Sequence, residues 1–427
     1  MIPVGAFKRG VARKKPYTKG RLRVPTSGDS SKNSFPPPDN NRGDKGDGVY
    51  RDRSWTRGQS VMLTDKKRDT IKVMVAMSGG VDSSVAAALL KKQGYQVAAA
   101  TMKIWAGQAS PAKRSRHACC GPGEEEDIED ARRVAQMLGI PIHVIDLTRE
   151  YRAEVLDYFC QEYLSGRTPN PCLRCNRRVK FDALVKKTKE SGLDFDYFAT
   201  GHYARVEYNQ AKNRYRLKKA RDLNKDQSYF LAFLTQEQLG RAIFPLGNYT
   251  KAEVRQMAAD FGLPVANKPE SQDFAASGYS SLLPATPPGP ILDKQGNKLG
   301  EHRGISYYTI GQRKGLRLSR PEPLYVIGID REKNAIIVGS KEEVYQDKLI
   351  ASGVNWIALE KLGQPIEVKA RIRYRHREAE AMATPLSEDR VYVKFTEPQL
   401  AITPGQAVVF YQDDIVVGAG TIEGAEE

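Results

Sequence analysis

Two stretches of this 427-residue chain carry side chains whose types and spacing could do chemistry. The first reads Thr168-Pro-Asn-Pro-Cys172-Leu-Arg-Cys175-Asn-Arg-Arg-Val-Lys180-Phe. Its prolines restrict the backbone, and a helix predicted from Val179 sets Cys172 and Cys175 at or just before a helix N-terminus. There the helix dipole, with Arg174, Arg177, Arg178 and Lys180 nearby, favours the thiolate, the form that attacks or binds metal. A structural zinc would need two further ligands, and no second Cys-x-x-Cys exists to supply them. The second stretch is Ser78-Gly79-Gly80-Val81-Asp82-Ser83-Ser84, between the apolar run Val73 to Ala76 and an Ala/Leu-rich run of helical character. Strand, glycine turn and helix in that order make an anion cradle: the glycines admit a ligand, while Ser83, Ser84 and first-turn amides offer donors to phosphate. The stretch lacks the Gly-Lys-Ser/Thr ending of a P-loop and the third glycine of a dinucleotide fingerprint, which argues against a kinase-like ATPase and against NAD. Asp82 would repel phosphate unless a cation lay between them, which points to Mg²⁺.

The elements that must hold these groups alternate from Lys72 to about Leu263. Strands are predicted at Gln96–Ile104, Ile142–Ile145 and Tyr197–Thr200, and helices at Glu125–Leu138, Arg149–Leu164, Val179–Ser191, Asp226–Leu234 and Lys251–Phe261. This pattern predicts an α/β fold, a doubly wound and mostly parallel sheet whose ligands sit at the carboxyl ends of its strands. Beyond Lys268 short alternating segments take over: Tyr307–Ile310, Leu324–Asp330, Ala335–Val338, Ile366–Ile372, Arg390–Phe395, Ala407–Tyr411 and Ile415–Thr421. These predict two small β-barrel domains. The expected division is a disordered basic extension at 1–71, a catalytic domain at 72–267, a central β domain at 268–345 and a C-terminal barrel at 346–427.

The net charge is +16, from 67 Lys and Arg against 51 Asp and Glu, which predicts a polyanionic partner. Part of the excess is the basic run Arg9 to Arg23, read either as an overlong start ahead of Met62 or as an arm adding RNA affinity. Five cysteines, Cys119 and Cys120 adjacent among them, do not look like an extracellular disulfide framework. No apolar run approaches the ~18 residues a membrane helix needs, so no membrane partner and a cytoplasmic location are expected.

The glycine loop resembles that of the ATP pyrophosphatases, which adenylate a carbonyl oxygen and release pyrophosphate. With Thr101-Met-Lys-Ile-Trp105, Cys119-Cys120 before an acidic helix, Pro169-Asn-Pro through Lys180-Phe, Ala199-Thr-Gly-His-Tyr-Ala-Arg205 and Lys225-Asp-Gln-Ser-Tyr-Phe-Leu231, the resemblance narrows to the tRNA-specific 2-thiouridylases. Lys268-Pro-Glu-Ser-Gln272, Gly300-Glu-His-Arg-Gly-Ile, Tyr308-Thr-Ile-Gly-Gln-Arg-Lys-Gly315, Arg373-Tyr-Arg and Pro404-Gly-Gln through Tyr411 follow in the same order. The resemblance implies that ATP adenylates C2–O of a tRNA wobble uridine and that a persulfide sulfur displaces AMP, with a persulfide-carrying protein as sulfur donor. It implies that Ala76, Met77, Ser78, Gly79, Gly80, Val81, Asp82 and Ser83 hold phosphates, and that Met102 and Gly201 flank adenine or ribose. Cys175 matches the catalytic cysteine. Asn170, Pro171 and Cys172 match the target-base stretch, and His202, Lys225, Asp226, Gln227, Arg373, Tyr374 and Gln406 match tRNA contacts.

One departure bears on mechanism. The common family pattern has a second catalytic cysteine shortly after Glu270-Ser-Gln, where this chain has Ala275-Ala276, and no cysteine follows Cys175. Two chemistries remain open. Cys175 could carry a persulfide that Cys172 resolves, or the two could ligate an iron–sulfur cluster completed by Cys119, Cys120 or another ligand. Cys160, beside Phe159, reads as core packing. Rival functions are a ligase or amidotransferase acting on a small metabolite and a non-catalytic RNA-binding relative.

Overall fold

The computed structural model describes residues 67–105, 118–121, 123–269, 273–275 and 282–424. The basic run Arg9 to Arg23 lies outside them. The last residues of the expected extension do not share its predicted character: Arg68–Thr70 form a 3-10 turn and Ile71 is buried.

Five parallel strands make the first sheet: β1 (Lys72–Ala76), β2 (Gln96–Lys103), β4 (Ile142–Asp146), β5 (Tyr197–Thr200) and β8 (Ala242–Ile243), in the order β4-β2-β1-β5-β8. The short β3 (Ala118–Cys120) lies outside that sheet. β1 reads as an unbroken apolar run because both of its faces are covered. Val73 and Val75 join a core with α1 (Val81–Lys92), α2 (Glu124–Leu138) and α7 (Lys251–Asp260). Met74 points the other way, into a core shared with the helices spanning 148–164 (α3) and 171–190 (α4). Chain order reverses on either side of β1, so the crevice at its carboxyl end is the expected ligand position.

Between β5 and β8 the chain leaves the sheet as a hairpin, β6 (Ala204–Asn209) and β7 (Arg214–Lys219), followed by the short α5 (Ser228–Leu231) and α6 (Gln236–Arg241). Only one turn of the expected 226–234 helix forms. After β9 (Asp273–Ala275), a four-stranded sheet is built from β10 (Gly289–Leu292), β11 (Lys298–His302), β12 (Tyr325–Asp330) and β13 (Ala335–Gly339). The strand expected at 307–310 is instead the end of a 3-10 turn, Ile305–Tyr307, and an irregular stretch beyond it.

The last segment is a closed barrel. Strands β14 (Tyr345–Trp356), β15 (Ile366–Arg371), β16 (Ala379–Pro385), β17 (Arg390–Leu400), β18 (Ala407–Gln412) and β19 (Ile415–Gly424) run in the order β14-β17-β16-β15-β18-β19, and β19 pairs back onto β14. β7 adds to β19 through Leu217 opposite Val416. One sheet therefore runs from the first domain into the barrel, and their apolar cores merge at Leu217, Tyr229, Val409, Tyr411 and Val416. Among the described residues no helix is long and apolar enough to cross a membrane.

Candidate active site

As the chain leaves β1, the Met77 amide donates to the Ala100 carbonyl at 2.9 Å. The Ser78 amide donates to Ser83 Oγ at 3.1 Å, and the Ser83 and Ser84 hydroxyls reach the Gly80 carbonyl at 3.3 and 2.8 Å. Both serines are buried. They close the loop, a correction to the expectation that their hydroxyls face phosphate. Gly80 at the N-cap brings no side-chain acceptor to the first-turn amides of α1, the arrangement that suits an anionic ligand.

Two glycines are required sterically. Gly79 sits at φ +69°, and a Cβ there would lie 2.1 Å from the Asp127 carbonyl oxygen. A Cβ on Gly201 would lie 2.6 Å from the Ser83 nitrogen. The end of β5 is thus pressed against the first turn of α1.

Asp82 is not a bare carboxylate. Lys251 Nζ donates to its two oxygens at 2.7 and 2.8 Å, and the Tyr203 hydroxyl donates to Oδ1 at 2.8 Å. Lys251 thus neutralises the carboxylate read from sequence as a Mg²⁺ ligand. Lys268 holds Asp127 at 2.6 Å and also Asp130. At the end of β2, beyond Met102, the buried Glu124 carboxylate accepts the amides of Ile104 at 2.8 Å and Trp105 at 3.1 Å. Burial raises its pKa against those two bonds.

The thiol helix begins earlier than its pattern suggested. Asn170 is the N-cap, its Oδ1 accepting the Cys172 amide at 3.1 Å, and Pro171 opens α4. Cys172 therefore lies in the first turn and Cys175 one turn further in. At Cys175 the helix widens into a π-helical stretch that runs to Ala183, a distortion often found at functional sites. Gln238 of α6 holds this stretch: its Nε2 donates to the carbonyls of Arg177 at 2.9 Å and Phe181 at 3.1 Å. Its Oε1 accepts the Thr235 amide at 3.0 Å, completing a capping box. Arg174, expected to favour the thiolate, is instead paired with Glu154 at 2.9 Å and stacked over Tyr158. Cys160 donates to the Leu282 carbonyl at 3.2 Å beside the buried Phe159, and burial pushes its thiol pKa up.

Ala76, Met102, Cys175 and Tyr374 border one apolar cluster, so the nucleotide loop and the thiol helix share a side of the sheet. Cys172 packs instead against the Phe159 group. Residues at i and i+3 on a helix stand ~5–6 Å apart at Cβ, and a disulfide needs about 3.5–4.5 Å. A Cys172–Cys175 bond therefore requires the first turn to tighten.

The residues matched to tRNA contacts divide sharply. Asp226 is 3 % exposed and accepts the amides of Ala220 and Ser228 and the Ser228 hydroxyl. It faces Arg371, which pairs with Glu378, itself held by Lys219. This buried network joins the first domain to the barrel, so Asp226 is withdrawn from the RNA-facing set. Gln227 exchanges hydrogen bonds with the Tyr203 backbone. Gln406 Nε2 donates to the Thr168 carbonyl at 2.7 Å, and the Thr168 amide donates to Pro404 at 2.8 Å. A barrel turn thus clamps the start of the cysteine loop. His202 lies between Phe181 and Phe244, with Nδ1 on the Thr200 hydroxyl at 2.7 Å. Burial, then the charge of Lys180, lowers its pKa well below the usual histidine value. Arg373 Nη1 donates to the Leu400 and Ala401 carbonyls, and Tyr374 packs on Phe230 with centroids 4.3 Å apart and the rings tilted by 38°. Lys225 sits in a turn closed by its amide on the Asp222 carbonyl.

Among the described residues no three His, Cys, Asp or Glu side chains cluster as metal ligands would. Those residues do not assemble an iron–sulfur ligand set; the side chains of Cys119 and Cys120 lie outside them. The backbone of β3 pairs in parallel with β9, setting Cys120 opposite Ala275. Sequence reasoning missed Lys251 and Gln238 and the roles of Tyr203 and Lys268, because the contacts with Asp82, Asp127, Asp130, Arg177 and Phe181 join segments far apart in the chain.

A parallel sheet with a phosphate-type glycine loop at its switch point, and a cysteine helix beside it, defines a nucleotide-using enzyme of the HUP class. Residues 71–276 match the tRNA methyl transferase HUP domain, 280–340 the tRNA methyl transferase PRC-barrel domain and 346–422 the aminomethyltransferase beta-barrel domain. The chain is 50% identical over 360 residues to tRNA-specific 2-thiouridylase MnmA 1 of Caldanaerobacter subterraneus, covering 82% of this chain and 98% of that one. It is likewise 50% identical over 360 residues to tRNA-specific 2-thiouridylase MnmA of Halothermothrix orenii, covering 82% and 99%. The Moorella thermoacetica protein of that name is 50% identical over 362 residues, covering 83% and 100%. The chain belongs to the tRNA-specific 2-thiouridylase family.

Proposed function

We propose that this enzyme thiolates tRNA by ATP-dependent sulfur transfer, converting the wobble uridine to 2-thiouridine through an adenylated uridine. The observation that carries the reading is the sharing of one apolar cluster by Ala76 and Met102 of the nucleotide crevice and Cys175 of the thiol helix. First-turn amides of α1 would bind the phosphates of ATP. Asp82, once released by Lys251, is the carboxylate that would hold a Mg²⁺ bound with the nucleotide, which would screen phosphate charge. Attack of the C2 oxygen on the α-phosphorus expels pyrophosphate and leaves C2 bonded to AMP through oxygen.

Sulfur then arrives on Cys175 as a persulfide loaded by a protein donor. Its terminal sulfur bonds to C2 and the C2–O bond breaks, so AMP departs with the oxygen. The Cys172 thiolate attacks the inner sulfur, forming a Cys172–Cys175 disulfide and leaving the outer sulfur on the base. A cellular dithiol reduces the pair for the next turnover. The absence of cysteine at Ala275 supports Cys172 as the resolving group. The half-buried Tyr374 and Phe230 would border the extruded base, and Lys225 and Arg373 would meet phosphate.

The test is tRNA-dependent ATP–pyrophosphate exchange alongside mass analysis of the tRNA nucleosides. Cys175→Ala should keep exchange and make no 2-thiouridine. Exchange without tRNA would indicate a metabolite ligase, and none at all a non-catalytic relative. About four irons and four acid-labile sulfides per chain after anaerobic purification, lost in Cys172→Ala, would overturn the dithiol route.

A further inference from the structure

The central domain carries a feature that the chemistry above leaves unused. Between β11 and β12 the chain wraps a cavity of about 240 Å³ lined by Arg303, Tyr307, Tyr308, Gln312, Lys314 and Arg317. The Arg303 guanidinium lies over the Tyr307 ring at 4.5 Å, and Tyr308 is buried in the domain core. Gln312 shapes the wall: its Oε1 accepts the Thr309 amide at 3.1 Å and its Nε2 donates to the Lys314 carbonyl at 3.0 Å. Arg317, though not glycine, is held at φ +56°. The wall is therefore built, not slack.

Its charge is unspent. Arg303, Lys314 and Arg317 are exposed, and the described ion pairs of this domain engage Lys294, Lys298 and Lys333 instead. Those pairs also occupy Glu343, Glu301 and Asp330. Three cations around an aromatic ring form an anion site with a stacking platform, the combination that takes unpaired nucleic acid. The volume is below the ~300–1,000 Å³ of sites that enclose a whole small molecule, which suits one base with its phosphate outside.

The segment that carries the pocket is tied to the start of the cysteine loop. The Thr309 hydroxyl, one residue from Tyr308, is 3.1 Å from the hydroxyl of Thr168, which opens the cysteine loop. Gly311 packs so tightly on Ala401 that a Cβ would come within 2.6 Å of it. The Ala401 carbonyl in turn accepts from Arg373. We infer that this pocket binds an unpaired nucleotide of the tRNA anticodon loop next to the target uridine. Tyr307 stacks the base, and Arg303, Lys314 and Arg317 meet the flanking phosphates. The inference rests on the tRNA reading above.

The experiment measures tRNA affinity of the full chain by fluorescence anisotropy between 50 and 200 mM salt. The triple variant Arg303→Ala, Lys314→Ala, Arg317→Ala should bind about tenfold or more weaker, and its salt slope should fall by about 2, at ~0.7 per single-strand phosphate. Arg303→Lys with Arg317→Lys should keep the slope, which separates lost charge from a misfolded domain. Tyr307→Ala should weaken binding roughly tenfold while Tyr307→Phe retains it, as stacking requires. Wild-type binding and thiolation with an unchanged triple variant would overturn the pocket alone. A wild-type chain that binds no tRNA would overturn both this site and the proposed function.

Discussion

Gln238→Glu isolates the device that shapes the thiol helix. The substitution keeps the side chain's size and the acceptor for the Thr235 amide. It replaces the donor to Arg177 and Phe181 with an oxygen facing two carbonyl oxygens. Two hydrogen bonds at ~1 kcal/mol each are lost, and the unpaired groups add ~1–2 kcal/mol, a penalty of about 3 kcal/mol when the new carboxylate is charged. Its surroundings raise its pKa, since protonation restores one donor. A group whose folded pKa is raised stabilises below its unfolded pKa and loses that stabilisation as pH rises through the folded value. The penalty should therefore be full near pH 8 and smaller near pH 5.5. Relaxation of the π-helical stretch shifts Cys175, and a displacement of ~1 Å is worth about a hundredfold in rate. Single-turnover thiolation at pH 8 should fall about that far while ATP–pyrophosphate exchange stays within about threefold, because the hydrogen bonds of Gln238 run to Thr235, Arg177 and Phe181 and not to the glycine loop proposed to hold ATP. Thermal unfolding at both pH values measures the stability arm. Wild-type thiolation with an unchanged midpoint at pH 8, or equal losses in exchange and thiolation, would refute the reasoning.

Gly201→Ala forces a methyl group against the α1 backbone at 2.6 Å. It should destabilise by ~1–3 kcal/mol and raise the KM for ATP in the exchange assay more than the KM for tRNA; an unaffected KM for ATP would separate this contact from the nucleotide crevice. His202→Gln should flatten the acid side of the stability profile. Because the folded pKa of His202 is depressed, wild type loses stability as pH falls from about 6.5 toward that lower value, by at most ~1.4 kcal/mol per pH unit and less where solvent screens the ring. Denaturant unfolding at pH 7.5, 6.5 and 5.5 measures the difference, and parallel profiles for the two proteins would contradict it.

What could be read from sequence was what the chain encodes locally. Val73 to Leu90 announces strand, turn and helix because its apolar pattern and its glycines lie within one continuous stretch. The hairpin at 204–219 went unread because Arg214-Tyr-Arg-Leu-Lys-Lys looks like a solvated loop. Its strand character comes from pairing with β6 along all six residues and, at Leu217 and Lys218, with β19 far along the chain. Ser228 to Leu234 has the composition of a helix, yet most of it is buried loop whose Ala232 and Leu234 carbonyls are satisfied by Asn355 of the barrel. The strand 345–356 escaped because register shifts break its alternation. Among the site residues, Asp82 was recognised as needing a cation, but the lysine that answers it comes from α7. Asp226 was misread for a similar reason: beside Ala220 and Ser228 nearby, it faces Arg371 of the barrel, which spacing does not reveal.

The pairing of Leu217 with Val416 also sets a timetable for biosynthesis. Roughly 200 residues must be translated between the two strands, some ten to forty seconds at ~5–20 residues per second. Through that interval β7 waits with one edge bare, and the Gln406 clamp on Thr168 is still unmade. The thiol loop of a nascent chain therefore reaches its working shape only once the final strands leave the ribosome, and a stop codon near the end of the message leaves the early sheet with an adhesive margin.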